Sequence, residues 1–329
     1  MKILLTTRET IWGGGEELLI NLARQLVRNG HDVVLAVRKE SVLREKAEGF
    51  AVVDYRARVR ADVIICNDFH TLWVRGLSQP LTRKVFIVHG WWQTSRTRNL
   101  VARIIGSEIG VVSESVRERL LASGYFAREH VKLLSLGPDW ERFRPPSDDE
   151  RAEMRQRLGI ASDSFCCAFV GRLQRLKRPE MFVRAALAAV ATPILVTPST
   201  ARNDDEAARL ESLSEAAARS EIVHLPSSEV REALWASDVF VSTSEFESLG
   251  LAMMEAMACG LPVVTTAIGG PCDYILDQKT GFLVSDDEEL TETLIRLRHD
   301  LRLRRAVGIA GRDAIRHRTF DVVIRELIG

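Results

Sequence analysis

Two glutamates, Glu247 and Glu255, stand eight positions apart in the stretch EFESLGLAMMEAMACG (245–260). Nearly every residue from 249 to 258 is apolar, so a helix formed here would be buried on all sides. An ionised carboxylate in such surroundings costs several kcal/mol, roughly, unless a donor pairs with it. Glu255 therefore needs a partner, which is either a protein donor or a bound ligand.

Glu247 allows two interpretations. Ser244 stands three positions before it, which is the spacing of a capping box, so Glu247 could serve only to start a helix. Alternatively, the backbone after Glu247 would offer free N–H groups at a helix start, where they suit a phosphate or sugar hydroxyls. The residues concerned are Ser248, Leu249, Gly250 and Leu251.

A cluster of cations follows another apolar run, in FVGRLQRLKRP (169–179). Charges of one sign at the end of a strand favour a phosphate ligand, and an arginine can bind a phosphate through two donors. A solvated basic loop is the alternative. That alternative explains Arg172, directly after the strand and its glycine, less well than it explains Arg175 or Arg178, and Lys177 lies in the same loop.

His89 and a glycine triplet complete the candidate chemistry. His89 follows the buried run FIV (86–88), where its ring could reach a ligand or be satisfied by a core carbonyl. Gly13, Gly14 and Gly15 would permit close approach of a ligand to the backbone, or would form a plain flexible turn. Neither GxGxxG nor GxxxxGK[ST] is present, which disfavours a nicotinamide cofactor or a Walker-type nucleotide site.

Apolar strand-like runs alternate with amphipathic stretches along the chain, which predicts α/β architecture with parallel sheets covered on both faces. The segment 137–150, rich in Pro, Gly and charge, interrupts the alternation and is interpreted as a linker between two doubly wound domains. In such sheets ligands bind at the carboxyl ends of the strands, where all four loops above are expected. Strands are predicted over 2–7, 32–37, 62–66, 84–88, 108–112, 131–134, 164–170, 193–196, 222–225, 239–242, 262–265 and 282–284.

Composition narrows the class of protein. A chain of 329 residues suits two domains. Residues 1–145 hold 23 Lys and Arg against 16 Asp and Glu, and the remainder holds 22 against 29. The basic half could meet an anion, or the opposite charges could help two domains close.

Without a signal-peptide pattern or eighteen uninterrupted apolar residues, we expect a cytoplasmic protein with reduced cysteines.

Taken together, these stretches resemble a retaining glycosyltransferase of the GT-B fold, of family four, the glycosyl transferases group 1 type. ESLGLAMMEAMACGLPVVTT, starting at residue 247, resembles the family pattern E-x-F-G-L-x-x-x-E-A-M-A-x-G-x-P-V-V, with Leu249 in place of Phe. FVGRLQRLK resembles its G-R-L-x-x-x-K loop, and GGPCDYI its G-G-x-x-E-x-I segment, with Asp273 in place of Glu. The resemblance extends over nearly the whole chain, including VFIVHG around His89.

The resemblance implies two Rossmann-like domains that face a central cleft. Residues 1–145 would form the acceptor-side domain, 146–315 the nucleotide-sugar domain, and 316–329 a helix crossing back to the first domain. The implied reaction moves a sugar from a UDP- or GDP-sugar to a hydroxyl acceptor, with retention, in cell-envelope polysaccharide or glycoconjugate synthesis. No Asp-x-Asp motif occurs, so neither a metal nor another cofactor is expected.

The resemblance also implies a role for each candidate residue. Arg172 and Lys177 would hold the diphosphate, Glu247 would contact the transferred sugar, and His89 would face that sugar; these four form the implied catalytic set. Glu255 would accept hydrogen bonds from the ribose hydroxyls. The remaining donor-binding positions, which act through their backbone, would be Gly13, Gly14, Ser248, Leu249, Gly250 and Leu251.

Acceptor and partners are less constrained. The acceptor could be a saccharide, a lipid-linked sugar or a small molecule, and no nucleic acid is expected. WWQTSRTRNLVARII (91–105) mixes tryptophan with three arginines, which suits peripheral contact with an anionic membrane, although ordinary packing with a solvated basic face is an equal alternative. A nucleotide-sugar epimerase on the same fold, or a non-catalytic sugar-nucleotide-binding module, are the competing functions.

Overall fold

The computed structural model describes residues 1–199, 201, 203–219, 222–266 and 268–329. Its contacts divide the chain into a first unit, Met1–Leu136 with Arg318–Gly329, and a second unit, Gly137–His317. Each unit is built on one parallel sheet, with helices in the connections between its strands. The two doubly wound α/β sheets predicted from the sequence are therefore confirmed.

The first unit contains a seven-stranded sheet in the order β3-β2-β1-β4-β5-β6-β7. The chain winds outward from β1 to β3 and then returns to place β4 beside β1, so the order reverses between those two strands. This reversal brings the loops after β1, β4 and β5 to one edge of the sheet. The strands are β1 (Lys2–Thr6), β2 (Asp32–Val37), β3 (Ala51–Asp54), β4 (Val63–Cys66), β5 (Arg83–Val88), β6 (Glu108–Val111) and β7 (Val131–Leu133).

The last helix of the chain belongs to the first unit. It packs against the first helix, where the amides of Gln25 and Asn29 donate to Asp321 at 2.9 and 3.0 Å. Its Glu326 carboxylate accepts from the backbone N and hydroxyl of Ser135 at 2.8 and 2.7 Å. The helices of this unit are α1 (Gly14–Arg28), α2 (Val42–Glu45), α3 (Phe69–Ser78), α4 (Arg96–Ile105), α5 (Glu114–Leu121) and α13 (Phe320–Ile328).

The second unit contains a six-stranded sheet in the order β10-β9-β8-β11-β12-β13, which reverses between β8 and β11. The strands are β8 (Cys166–Val170), β9 (Thr192–Thr197), β10 (Val223–Pro226), β11 (Val239–Ser242), β12 (Val263–Thr265) and β13 (Phe282–Leu283). The helices are α6 (Asp148–Arg157), α7 (Pro179–Ala188), α8 (Asp204–Ala218), α9 (Val230–Ala236), α10 (Leu251–Ala258), α11 (Asp287–His299) and α12 (Leu301–Ile315).

Apolar layers on both faces of the second sheet hold it in place. One layer contains the methionines of α10, Met253, Met254 and Met257, and the other contains Phe182 and Leu290 from α7 and α11. Each of these side chains is at most 1% exposed. Burial of a side chain of this size stabilises the fold by about 1.5–3 kcal/mol, so the loops at the strand ends rest on a rigid platform.

Part of the segment interpreted as a linker is helical. α6 begins at Asp148, and Ser147 and Glu150 form a capping box at its start. The helix is tied to the sheet because Arg151 and Arg155 both bind the carboxylate of Asp238, at 2.9 and 2.8 Å. The interpretation of residues 148–150 as linker was wrong: the Ser147–Glu150 capping box is a local signal for a helix start, but the stretch is strongly polar and offers no clear apolar face.

Two elements of the first unit, α2 and β3, were not predicted. β3 is the edge strand beyond β2, and none of its four residues is fully buried. Its apolar run, residues 50–53, is short and only partly buried, so it gives a weaker sequence signal than the longer runs of the central strands.

Candidate active site

Lys177 and Glu247, 70 positions apart in the chain, meet at the reversal point of the second sheet. The Lys177 ammonium lies 2.5 Å from Glu247 Oε1, and the Ser244 hydroxyl donates to the same oxygen at 2.9 Å. Both charged side chains are about four-fifths buried. The sheet order explains the meeting, because Lys177 follows β8 and Glu247 follows the neighbouring strand β11.

Arg178 fastens the loop after β8 to the neighbouring strands. Its backbone is left-handed, with φ of 46°, and its guanidinium donates to the Thr243 carbonyl at 2.7 Å and to the Thr266 hydroxyl at 2.9 Å. The Thr243 hydroxyl in turn donates to the carbonyls of Lys177 and Arg178, each at 2.8 Å. The backbone at Lys177 is thus fixed from both sides, which limits where its ammonium can lie.

The start of α10 follows four residues after Glu247. The helix begins at Leu251, and Gly250 caps it in the left-handed conformation with φ of 79°. The Tyr274 hydroxyl donates to the carbonyl of Leu249 at 2.8 Å and would lie 2.6 Å from any Cβ at position 250. Because the helix does not begin at Ser244, the capping-box interpretation of Glu247 is wrong.

Ser248 and Glu255 are both buried at this end of the sheet. Within the described residues the Ser248 hydroxyl oxygen is buried and has no hydrogen-bond partner. Glu255 is 7% exposed, on a helix whose remaining residues are apolar. Burial, together with the nearby charge of Glu255, raises the pKa of the Cys259 thiol to about 12.

Arg172 follows β8 directly and forms an ion pair with Glu206 near the start of α8. The distance between Arg172 Nη2 and Glu206 Oε2 is 2.6 Å, and Arg172 Nε lies 3.4 Å from Glu206 Oε1. The two side chains are 14% and 4% exposed. Arg172 Nη1 is buried and, among the residues that the structure describes, has no hydrogen-bond partner.

His89 lies at the corresponding edge of the first sheet, after β5. Its Nε2 is 2.6 Å from Asn67 Oδ1, and its backbone N donates to Gln93 Oε1 at 2.6 Å. Asn67 Nδ2 donates to the Gly15 carbonyl at 3.3 Å, so the amide oxygen faces the ring. Nε2 therefore carries the ring hydrogen, and Nδ1 carries the lone pair.

The pKa of His89 and the space around the glycine triplet affect what this edge can bind. Burial lowers the pKa of His89 to about 4, so the ring is neutral near pH 7. A Cβ at Gly13 would lie 3.3 Å from the Glu16 carboxylate, whereas a Cβ at Gly14 would meet nothing within 4 Å. A Cβ at Gly15 would touch the side chains of both Asn67 and His89.

The candidate residues divide between the two units. His89, Gly13 and Gly14 lie in the first unit, and all the others lie in the second. Asn67, Gln93 and Glu206 were not found from the sequence, although Asn67 stands directly after the predicted strand 62–66, a position that could have marked it. In the described ranges, no group of three His, Cys, Asp or Glu side chains is placed to hold a metal ion.

The model of one protein family matches the chain. That family is described as "Glycosyl transferases group 1", and the match covers residues 150–314, which is half of the chain and most of the second unit. It includes the Arg172–Lys177 loop and both glutamates, Glu247 and Glu255.

Curated relatives include a D-inositol 3-phosphate glycosyltransferase of Actinosynnema mirum. It is 32% identical over an alignment 253 residues long, which covers 65% of this chain and 58% of the relative. A protein of the same description from Salinispora arenicola is 34% identical over an alignment 240 residues long, which covers 64% of this chain and 53% of the relative. The chain spans about half the length of the curated relatives it matches.

The fold is similar to that of solved glycosyltransferases. HepE of Anabaena, solved in complex with UDP-glucose, superposes with a TM-score of 0.85 at 20% identity, covering 99% of this chain and 98% of that one. This likeness identifies the fold as GT-B. The family resemblance of the sequence is confirmed by the family model, which matches half of the chain. The chain belongs to the group 1 glycosyl transferases.

Proposed function

We propose that the protein transfers a sugar from a nucleoside-diphosphate sugar to an acceptor hydroxyl. The observation that carries this proposal is the meeting of Lys177 and Glu247 at 2.5 Å, at the carboxyl edge where the second sheet reverses. Two findings support the proposal. The chain belongs to the group 1 glycosyl transferases, and the Anabaena protein of similar fold was solved in complex with UDP-glucose.

The proposed chemistry follows from the charge that develops in the reaction. The bond between the anomeric carbon and the phosphate oxygen breaks, which leaves negative charge on the diphosphate and positive character on the sugar. Lys177 and Arg172 stabilise the diphosphate, together with the backbone amides before and at the start of α10, from Ser248 to Leu251. A preorganised cation suits this task because its orientation costs little at the moment of reaction.

Glu247 has a donor-binding role in this scheme. One of its oxygens, Oε1, is occupied by Lys177 and Ser244. Its other oxygen accepts hydrogen bonds from hydroxyls of the transferred sugar, while Lys177, which has three N–H groups, keeps donors for the phosphate. Glu255 accepts hydrogen bonds from the ribose hydroxyls.

His89 contributes a neutral ring of fixed tautomer. A neutral ring avoids placing a second cation beside the positive character that develops on the sugar. With Nε2 bonded to Asn67, the lone pair on Nδ1 accepts a hydrogen bond from a substrate hydroxyl. Gly13 and Gly14 let the backbone approach the substrate closely.

We further propose retention of anomeric configuration and no requirement for a metal. In this mechanism the acceptor hydroxyl attacks the face that the phosphate leaves, and its proton passes to the departing phosphate oxygen. Arg172 and Lys177 take the part that a divalent cation has in other sugar transferases. The place of the reaction in cell-envelope polysaccharide or glycoconjugate synthesis is part of the same proposal.

Contact with an anionic membrane is proposed for one surface of the first unit. Residues 69–107 contain six Lys and Arg and no Asp or Glu, although Arg75 and Lys84 are buried and Arg83 forms an ion pair with Glu108. α3 and α4 pack side by side within this segment, with Gly76 facing Ile105. On their outer faces Leu77 and Ile104 are 68% and 75% exposed. Exposed arginines accompany them on α4: Arg96, Arg98 and Arg103.

Such a surface fits lipid headgroups and the outermost acyl carbons together. Its arginines would attract anionic headgroups, and its aliphatic side chains would enter the interface. No helix in the described part of the chain is long and apolar enough to span a bilayer. We propose that the contact is peripheral and that the protein is cytoplasmic.

Glu247→Gln should reduce sugar transfer by at least about a hundredfold, because the amide cannot balance Lys177 or accept as strongly from the sugar. Glu245→Gln is the matched control, because this exposed neighbour lies in the same loop; its turnover should stay within about twofold of wild type. Turnover is measured with UDP- and GDP-sugars, with folding checked by circular dichroism. Near-normal turnover in Glu247→Gln would remove the proposed role.

Transfer should continue in excess EDTA and yield a product with the donor's anomeric configuration, because cations of the chain supply the positive charge. Proton NMR of the product measures the configuration, and the same spectra detect epimerised donor in samples without acceptor. A loss of transfer that Mg²⁺ or Mn²⁺ restores would contradict metal independence. Epimerised donor without acceptor would favour the epimerase alternative, and binding without any turnover would favour the non-catalytic module.

The free energy of unfolding should depend on pH because of His89. The folded-state pKa, about 4, lies below the ordinary value of 6.5, so between these values the unfolded chain binds a proton that the folded chain excludes. Stability should therefore fall as pH drops through this window. In thermal melts at about pH 7 and about pH 5, His89→Gln should lose less stability than wild type. Equal losses of stability in His89→Gln and wild type would contradict the lowered pKa of His89.

The protein should co-sediment at low salt with vesicles of phosphatidylglycerol and phosphatidylcholine, and not with phosphatidylcholine alone. Leu77→Gln with Ile104→Gln should weaken this binding about tenfold, because two exposed aliphatic side chains no longer enter the interface. Ile309→Gln removes an equally exposed side chain from the second unit and should bind as wild type. Equal binding to both vesicle types, or none, would contradict the membrane proposal.

A further inference from the structure

The Arg172–Glu206 pair is arranged to hold the arginine by one edge. Arg172 Nη2 and Nε face the two carboxylate oxygens, at 2.6 and 3.4 Å. This is the fork geometry by which an arginine and a carboxylate orient each other. Nη1 is left outside the fork, where it is buried and, within the described residues, lacks a hydrogen-bond partner.

Glu206 is itself fixed. It lies in the first turn of α8, where its backbone N–H donates to the Asn203 side chain at 2.9 Å, and it is 3% exposed. Because its backbone is anchored and its side chain is buried, the Glu206 carboxylate cannot easily swing aside when a ligand arrives. If Glu206 only occupied Arg172 until a phosphate displaced it, we would expect the Glu206 side chain to be mobile and solvated.

Two features beside the pair indicate a ligand. The unpartnered Nη1 is a charged donor whose burial is unfavourable until an acceptor reaches it. A small pocket adjoins the pair, lined by Arg172, Leu173, Pro198, Ala201, Glu206 and Leu210. These residues come from the loops after β8 and β9 and from the start of α8, at the carboxyl edge of the sheet.

We propose that Glu206 is a positioning residue, which holds Arg172 by its Nε and Nη2 edge so that Nη1 is presented to a phosphate of the nucleotide donor. This inference rests on the proposed function and adds to it a carboxylate in the diphosphate site. An arginine already oriented loses less side-chain freedom on binding than a free one. For Glu206 to strengthen nucleotide binding, the benefit of orienting Arg172 has to exceed the repulsion between the Glu206 carboxylate and the incoming phosphate. Whether removal of the Glu206 charge weakens or strengthens nucleotide binding therefore tests the proposal.

Titration calorimetry with UDP, GDP and ADP measures the effect, and the tightest of the three serves as the probe. Glu206→Gln should raise the dissociation constant about tenfold, because an amide neither matches the fork nor carries its charge. Glu206→Asp keeps the charge but not the reach, so it too should bind more weakly. Glu229→Gln removes a more exposed carboxylate that pairs with Arg157 in the same unit, and should bind as wild type.

A double-mutant cycle separates positioning from general support of the fold. Arg172→Ala should bind at least as weakly as Glu206→Gln, and the double variant no more weakly than Arg172→Ala, since Glu206 acts only through the arginine. Tighter or unchanged nucleotide binding by Glu206→Gln would overturn the positioning role of Glu206 but not the proposed function. The same conclusion would follow if the losses of binding free energy in the two single variants added up in the double variant. If wild type bound none of the three nucleotides, the proposed function would fail and this role with it.

Discussion

A buried charge must be balanced, and this requirement organises the carboxyl edge of the second sheet. Lys177 and Glu247 balance each other at 2.5 Å, and Arg172 is balanced by Glu206 at 2.6 Å. Neither pair is local in sequence. The reversal between β8 and β11 brings Lys177 and Glu247 together, and the position of α8 brings Glu206 to Arg172. Charges held in this way are costly to move, and for that reason they are suited to a ligand whose own charge changes during reaction.

Backbone geometry at the same edge keeps these charges in place. Gly250 adopts a left-handed conformation in contact with the Tyr274 hydroxyl, and a Cβ at Gly270 would overlap the Ser248 carbonyl. Gly270 therefore allows backbone to pack directly on backbone next to Glu247. Together with the Arg178 bonds to Thr243 and Thr266, this packing fixes the loops without using the side chains that would bind the donor.

The sequence predicts what local pattern determines and misses what distant contacts determine. β2 and β11 have the predicted bounds because nearly all their residues are apolar. α6 has a local start signal in its capping box but no clear apolar face, and its attachment to the sheet depends on Asp238, which binds its arginines from more than eighty positions away. The site follows the same division. Arg172 and Glu247 are recognisable by motif, but Glu206 lies in an acidic stretch typical of any solvated helix start, and only the fold brings it to Arg172.

The two reversal points differ in electrostatics, and this difference favours different ligand chemistry at each. In the second unit, cations are held beside carboxylates and helix-start amides, which suits a phosphate and the hydroxyls next to it. In the first unit, His89 is neutral and is bonded to the amides of Asn67 and Gln93, which suits a hydroxyl and offers little to an anion. The basic character of the first unit belongs instead to its surface, where the arginines of α4 lie among exposed aliphatic side chains. The excess of cations in residues 1–145 is therefore better explained by that surface than by the residues around His89.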